Sequence, residues 1–518
     1  MLSAKKIFRE FFENSVIHGL AYFVKPSIVI LERCVWFILE IAAICGCIII
    51  SLQSLNRYYH KSTVITLEKD FNIWNTTLPS MTICPMTRLD EQKYNDYCSA
   101  RNISGQLKTE LFQFLESLAN STYENFEDIK EFKSIEQMNI DPEDYMMLIY
   151  NLTQDLTRTP DIYSRVRNMN NEDHIHVEQI LTEYGICYLT NSYLSEGLSA
   201  QYLITGKGPD VNEVEAEMGI IHRVRHANMF DGEVAYNFIG FKGAISIFIH
   251  GPYETMDIAR NYGYTTEMIE YNTAPTELLA SDAFRRRTTI EQRGCRFHQE
   301  SNLTYFKRVY TKNLCNQECR IGFALEKCKC IPHFYPNRDA KVPVCHYKTL
   351  KSCFPKYKDI LLTFLNGSKV IINCNCLQNC QDMEVVVDDK EVKIFKDFLS
   401  KDFKINILNT PWNVKLQVRL ASEELVSSFG ASVVFKRYPL NRFKRQILFT
   451  MTDLLVSIGG TAALFLGFSV LGAVEVIYFF TLRVCCMSWS LLGSKKRTKK
   501  VVLRSKKKVV AKEMHFRI

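Results

Sequence analysis

The sequence predicts a membrane protein with two transmembrane helices flanking a large, disulfide-rich α+β ectodomain. Three observations carry this reading. Two long apolar runs lie toward opposite ends of the 518 residues. Six Asn-X-Ser/Thr sequons and 13 of the 18 cysteines fall between those runs. Charge is also uneven: residues 1–33 hold five Lys/Arg and three acids, residues 483–518 hold twelve and one, and the whole chain is only +8. The middle is therefore mildly acidic. A nucleic-acid binder carries its basic charge on the folded domain, so basic ends on an acidic body exclude nucleic acid as the partner. With 47% hydrophobic residues, the chain is also not a disordered polymer.

The segment 1–33 precedes the first run, Cys34–Leu55, which contains one acid, Glu40, and no charge over Ile41–Asn56. A bilayer-crossing helix needs about 20 mostly apolar residues. A signal peptide fits poorly, because 33 residues precede the run and no small-residue cleavage site follows. The second run, Ile447–Leu482, is interrupted by Asp453 and Glu475, with Leu454–Val474 uncharged between them. Two spans place both termini on one side, and the basic flanks assign that side to the cytoplasm. Residues 56–446 then face outside, where Asn75, Asn102, Asn120, Asn151, Asn302 and Asn366 are glycosylation acceptors and cysteines oxidise.

Within the ectodomain, Thr63–Leu67, Met81–Ile83, stretches of 215–250 including Gly243–His250, Lys415–Leu420 and Ala431–Phe435 read as strands. Helical periodicity marks Leu107–Leu118 and Ile129–Met138. The sheet is thus assembled from distant segments. Ten cysteines crowd into residues 295–380. Cys328/Cys330 and Cys374–Cys380 raise zinc as an alternative, but their spacing lacks the usual knuckles. A glycosylated ectodomain favours a disulfide ladder, whose connectivity spacing alone does not give. His174 and His176 form a candidate surface metal pair or a solvated loop, and His250 reads as a packed structural histidine. No HExxH or phosphate-binding glycine loop occurs, and Gly467-Phe-Ser-Val-Leu-Gly472 misses the G-x-S-x-G elbow by one residue. The chain therefore reads as a non-enzyme without metal or cofactor. The basic tail 483–518 reads as a positive-inside anchor near acidic lipid. Its Cys485 and Cys486 stand at the membrane edge, open to palmitoylation or to no modification.

The second run is unlike a passive anchor. It carries Gly459, Gly460, Ala462, Ala463, Gly467, Ser469, Gly472 and Ala473, small residues that permit close helix approach. Asp453, Val456, Gly460, Ala463 and Gly467 recur at helical spacing and share one face. An acid above small residues suits the lining of a conduit, and Glu475 is a deeper intramembrane acid of the kind that marks function. The alternative is a helix-packing face with snorkelling acids.

Ser15-Val-Ile-His18-Gly19 before the first run, Arg33-x-x-Trp36 at its start, Leu78-Pro-Ser-Met-Thr-Ile-Cys84-Pro85 after it, the cysteines from Glu291-Gln-Arg-Gly-Cys295 onward and the second run, taken in order, resemble the degenerin/epithelial sodium channel family, in particular its arthropod pickpocket-like subunits, over nearly the whole chain. Ser15-Val-Ile-His18-Gly19 is similar to the family's cytoplasmic His-Gly gating motif, and Arg33-x-x-Trp36 opens the first span as in the family. Leu78-Pro-Ser-Met-Thr-Ile-Cys84-Pro85 resembles its post-membrane segment. Glu291-Gln-Arg-Gly-Cys295, Cys315-x-x-x-Cys319 and Cys328-x-Cys330 resemble its cysteine-rich thumb, and Leu454 through Gly467-Phe468-Ser469 to Glu475 its pore helix.

The resemblance implies a homo- or heterotrimer of related channel subunits in the plasma membrane, with a β-sheet palm and helical outer subdomains. It implies a sodium-preferring, amiloride-sensitive pore, with sodium as permeant ion, gated by an extracellular chemical or mechanical cue. It assigns the selectivity filter to Gly467, Phe468 and Ser469, gating to His18 and Gly19, and mouth or lining positions to Asp453, Val456, Gly460, Ala463 and Glu475. It also implies the disulfides Cys84–Cys187, Cys295–Cys380, Cys315–Cys376, Cys319–Cys374, Cys328–Cys353 and Cys330–Cys345. The sequence departs from the pattern at Leu78, Pro85, Val456 and Gly472, lacks a PPxY motif in the tail, and leaves Cys98 without an obvious partner. A two-span ectoenzyme would need phosphate-cradling residues. A scavenger-type receptor would share the glycans and disulfides but not the His-Gly and pore motifs.

Overall fold

The computed structural model describes residues 2–15, 17–132, 135, 138, 140–156, 162–166, 172–174, 176–207, 224–241, 244–259, 263–265, 269–337, 341–366, 368–392, 429–435, 437–483, 485, 486 and 489. In chain order, α1 (Leu2–Asn14) and α2 (Ile30–His60) precede strands β1 (Thr63–Glu68) and β2 (Ser80–Pro85), and α3 (Gly105–Ala119) follows. The chain continues through β3 (Ile162–Val166), β4 (Glu172–His174), β5 (Val177–Thr182), β6 (Gly185–Thr190), β7 (Val234–Phe241), β8 (Ile245–His250), β9 (Gly263–Thr265) and β10 (Ile269–Ala280). Next come α4 (Lys312–Cys328), β11 (Asp382–Val392), β12 (Phe429–Phe435) and β13 (Arg442–Ile447). Helices α5 (Met451–Leu466) and α6 (Val470–Tyr478) and a π-helical turn over Phe479–Arg483 follow. Two compact units result: Met1–Val64 with Glu291–Arg293 and Ile447–Ile518, and Ile65–Ile290 with Gly294–Gln446.

The larger unit is built on two sheets. An 8-stranded sheet runs β1-β13-β10-β12-β7-β3-β4 with β11 also on β10, and a 5-stranded sheet runs β9-β8-β2-β6-β5. Alternation explains their contact. Met81 and Ile83, Ile245 and Ile247, Tyr236 and Phe238, and Val433 and Phe435 are all buried in one cluster, as period-2 side chains on facing sheets require. Cys84 and Phe248, each next to the last of these inward residues and so on the opposite face, join a second, larger core with the helices. There α3 contributes Leu111, Phe114, Leu115 and Leu118, all buried, the i, i+3, i+4 stripe of an amphipathic helix. Glu68 ties β1 to β13 by accepting from Arg442 and Lys444 at 2.8 and 2.9 Å, and Arg442 lies over the Trp74 ring.

The six disulfides formed are Cys84–Cys187, Cys295–Cys380, Cys315–Cys376, Cys319–Cys374, Cys328–Cys353 and Cys330–Cys345, the pairs that the family resemblance implies. Geometry explains two neighbouring rungs. Four residues of helix separate Cys315 from Cys319 by about 6 Å along the axis. Cys376 lies two chain steps from Cys374, and non-helical chain of that length reaches about 7 Å, so the two rungs are similarly spaced on both segments. Cys98 is buried and unpaired in a disulfide.

Several expectations are corrected. Of the expected helix Ile129–Met138, Ile129 and Phe132 are not helical whereas Ile135 and Met138 are; Ile129, Phe132 and Ile135 all face the core, so the spacing in the first half reflects burial rather than a helix. Residues 215–223, Gly243, Lys415–Leu420 and most of the basic tail lie outside the described residues. The first helix extends beyond Cys34–Leu55 to Ile30–His60. Ile447 belongs to β13 rather than to a helix, and the second apolar run is not one continuous helix. His250 is a packed histidine: its Nδ1–H donates to the Gly251 carbonyl at 2.9 Å, so Nε2 accepts from the Thr82 hydroxyl at 2.8 Å. His176 pairs with Glu178, whereas the His174 side chain lies outside the description. Asn75, Asn102, Asn151 and Asn302 are exposed, while Asn120 is half-buried with its Oδ1 enclosed and without a hydrogen-bond partner. The Asn366 side chain is not described.

Candidate functional site

In the smaller unit, α2 is the one helix among the described residues long and apolar enough by itself to cross a bilayer. Its apolar side chains point outward, with Ile30, Leu31 and Ile38 between 65% and 77% exposed, as lipid-facing residues do. Helices α5 and α6, with the π-helical turn, meet the same standard only as a pair bent by 73°.

The bend has a local cause. Gly467 follows α5 with φ 63°, the left-handed conformation that favours glycine. Its N–H still reaches the Ala463 carbonyl at 3.0 Å, and the Phe468 N–H reaches Ala462 at 3.3 Å. Ser469 then starts a new helix as N-cap, its Oγ accepting from the Gly472 N–H at 3.1 Å. Gly467, Phe468 and Ser469 are therefore the whole of the break between two half-helices.

The His18-Gly19 motif meets this break. The His18 N–H donates to the Leu466 carbonyl at 3.1 Å. A Cβ on Gly467 would lie 2.5 Å from His18 Cε1 and closer still to Nδ1. Gly19 has φ 94°, and a Cβ there would meet Glu40 Oε2 at 2.5 Å. Trp36 stacks on Tyr22 with ring centroids 4.3 Å apart, which fixes the short 3-10 turn Leu20–Phe23 on α2.

The two faces of α5 differ. Leu454 and Thr461 are buried, and the Ser457 hydroxyl shares a 2.8 Å hydrogen bond with Ser54 of α2. Asp453, Val456, Gly460 and Ala463 are exposed, Val456 at 74%. Four of the five residues grouped by helical spacing thus share the face that no element of this chain covers among the described residues, whereas the fifth, Gly467, is half-buried against His18. Glu475 is exposed on α6.

Asp453 has a second role that its charge alone did not reveal. Its Oδ2 accepts from the Thr450 N–H at 2.8 Å, while the Thr450 Oγ1 accepts from the Asp453 N–H at 3.3 Å. This capping box opens α5 and is legible as Thr450-x-x-Asp453. The hydrogen bonds Ser54–Ser457 and His18–Leu466 carry no comparable sequence signal. Chemically, the site offers a kinked helix with small residues along an uncovered face and no nucleophile–base pair.

The family described as amiloride-sensitive sodium channel matches residues 11–479. The sodium channel protein Nach of Drosophila melanogaster is 21% identical over 514 residues, covering 92% of this chain and 87% of that protein. Pickpocket protein 28 of the same organism is 25% identical over 268 residues, covering 50% of this chain and 40% of that protein. Pickpocket protein 19 is 20% identical over 491 residues, covering 90% and 89%.

Proposed function

The chain belongs to the amiloride-sensitive sodium channel family, and on that premise we propose that it is a pore-forming subunit of a sodium-preferring cation channel. Its family consists of plasma-membrane ion channels assembled from several subunits, not enzymes. In this reading α2 is the first span and α5–α6 the second, the cysteine-rich unit is extracellular, and both termini are cytoplasmic. Three subunits, identical or related, surround a common axis. Neither a scavenger receptor nor an ectoenzyme is favoured by a family of this kind.

The observation that carries the reading is the Gly467–Ser469 break at the end of α5, below that helix's uncovered face. Turned around an axis, that face brings Asp453, Val456, Gly460 and Ala463 to a shared conduit. At the break the backbone leaves the helix, so backbone oxygens and the Ser469 hydroxyl can replace part of a cation's hydration shell. Asp453 concentrates cations at the outer mouth without stripping their water, and Glu475 meets them below the filter. Val456, bulky for its position, acts at the gate. His18 and Gly19 transmit cytoplasmic motion to the filter through the Leu466 carbonyl. An extracellular chemical or mechanical cue opens the pore, and amiloride blocks it.

The test is expression in oocytes, alone and with related subunits, with current recorded as external sodium is varied and amiloride is added. Sodium-dependent, amiloride-blocked current supports the reading. Surface-expressed protein that never passes sodium, alone or with partners, contradicts it.

A further inference from the structure

We propose that helix α1 from Phe8 onward and His18 are the two anchored ends of an intracellular strap across the Gly467–Ser469 break, His18 bonded to the last residue of the outer half-helix and Glu10 and Phe11 forming a lower anchor on the far end of the inner half-helix, which they position for gating. The inference rests on the channel reading above but adds residues which that reading does not use.

Helix α1 presents Phe8, Phe11 and Phe12 among charged residues. Phe11 is only 8% exposed. Its ring lies 5.6 Å from Phe479 and 5.1 Å from Phe480, and Phe8 lies 5.8 Å from Phe480. Beside this aromatic cluster, the Glu10 carboxylate accepts from the Arg483 guanidinium. Both contacts fall on the π-helical turn Phe479–Arg483. An arginine at a helix C-terminus already suits the helix dipole, and Glu10 fixes where it points. At the other end of the strap, the His18 N–H is bonded to Leu466 at the break.

The lengths match. From Ser469 onward, α6 and the turn hold 9 and 5 residues, about 21 Å at helical rise. From Glu10 to Asn14 the strap adds about 6 Å of helix, and the next four residues reach at most about 14 Å. The strap therefore has little slack. Tilting the inner half-helix breaks either the His18–Leu466 hydrogen bond or the Glu10/Phe11 anchor. Held, the strap favours the closed pore; released at its lower end, it lets the inner half-helix move.

Two measurements on the full-length chain test this. In a background with Cys34, Cys45, Cys47, Cys485 and Cys486 changed to serine, Phe11→Cys with Phe480→Cys is oxidised in membranes and mapped by mass spectrometry. A disulfide-linked peptide joining positions 11 and 480 is expected, and its absence, with normal surface expression, overturns the docking. In oocytes, Glu10→Arg and Arg483→Glu should each raise the open-to-closed ratio about two- to fivefold, the range for a partly exposed ion pair. Glu10→Gln should act in the same direction, and the charge swap Glu10→Arg/Arg483→Glu should return the ratio to that of the parent. Additive effects in the swap, or no effect in any variant, overturn the gating role. A cross-link in a parent chain that never conducts overturns the channel reading and the gating role together. Normal currents without a cross-link overturn the strap alone.

Discussion

Replacing Gly467 with alanine probes the contact between the His18-Gly19 segment and the break. Two costs follow from the geometry. At φ 63° an L-residue in the left-handed region costs about 1–2 kcal/mol. The new Cβ also falls 2.5 Å from His18 Cε1, so the imidazole must turn away, and the His18–Leu466 hydrogen bond, worth about 1 kcal/mol, is placed at risk. Together these destabilise the bonded arrangement by about 2–3 kcal/mol, or roughly 30- to 140-fold in the equilibrium that breaks it. Amide hydrogen exchange of His18 in nanodisc-embedded protein reads this opening directly. Exchange should accelerate by that factor in Gly467→Ala. Adding His18→Ala removes the clash but not the backbone cost, so the residue-18 amide should then recover part of its protection. Unchanged exchange in Gly467→Ala, or a double variant no better protected than the single one, refutes the reasoning.

Two further predictions concern the larger unit. Replacing Cys319 and Cys374 with serine should cost about 2–5 kcal/mol of stability, read as a lower unfolding midpoint under non-reducing conditions. An unchanged midpoint would show that this rung contributes nothing. Burial lifts the Glu254 carboxyl from its ordinary 4.5 to about 7, against hydrogen bonds from Thr311, Thr255 and Asn379 that favour its charged form. Because the folded-state value is raised, its stabilising contribution is present below pH 4.5 and is lost as pH rises through 7, by at most about 3 kcal/mol. Glu254→Gln should therefore flatten the pH dependence of the unfolding midpoint between 4.5 and 8, and an unchanged slope would contradict this.

What was legible in the sequence was what short stretches determine alone. The uncharged run around Ile41–Asn56 marks α2, and alternation marks Met81/Ile83 and Val433/Phe435 as inward-facing strand residues. Spacing also placed Asp453, Val456, Gly460 and Ala463 on one exposed face. Less legible were features that depend on contacts distant in sequence. Ile129 and Phe132 mimic a helix because burial at three-residue spacing does not require one. The break at Gly467 is hidden in an apolar run, since one glycine is compatible with a continuous helix until His18 occupies its open side. Asp453 was read by its charge, although Thr450-x-x-Asp453 already encoded a cap. The disulfide pairing came from family resemblance, because helical and non-helical spacings match only once both segments have folded.

Reversal potential in mixed sodium and potassium tests the central claim most directly. If Gly467, Phe468 and Ser469 form the selective part of the pore, the parent channel should favour sodium. Ser469 substitutions should shift its reversal potential toward greater relative potassium permeability, while Asp453→Asn chiefly lowers conductance. Sodium-to-potassium selectivity that stays constant across several conducting Gly467 and Ser469 variants would contradict the account.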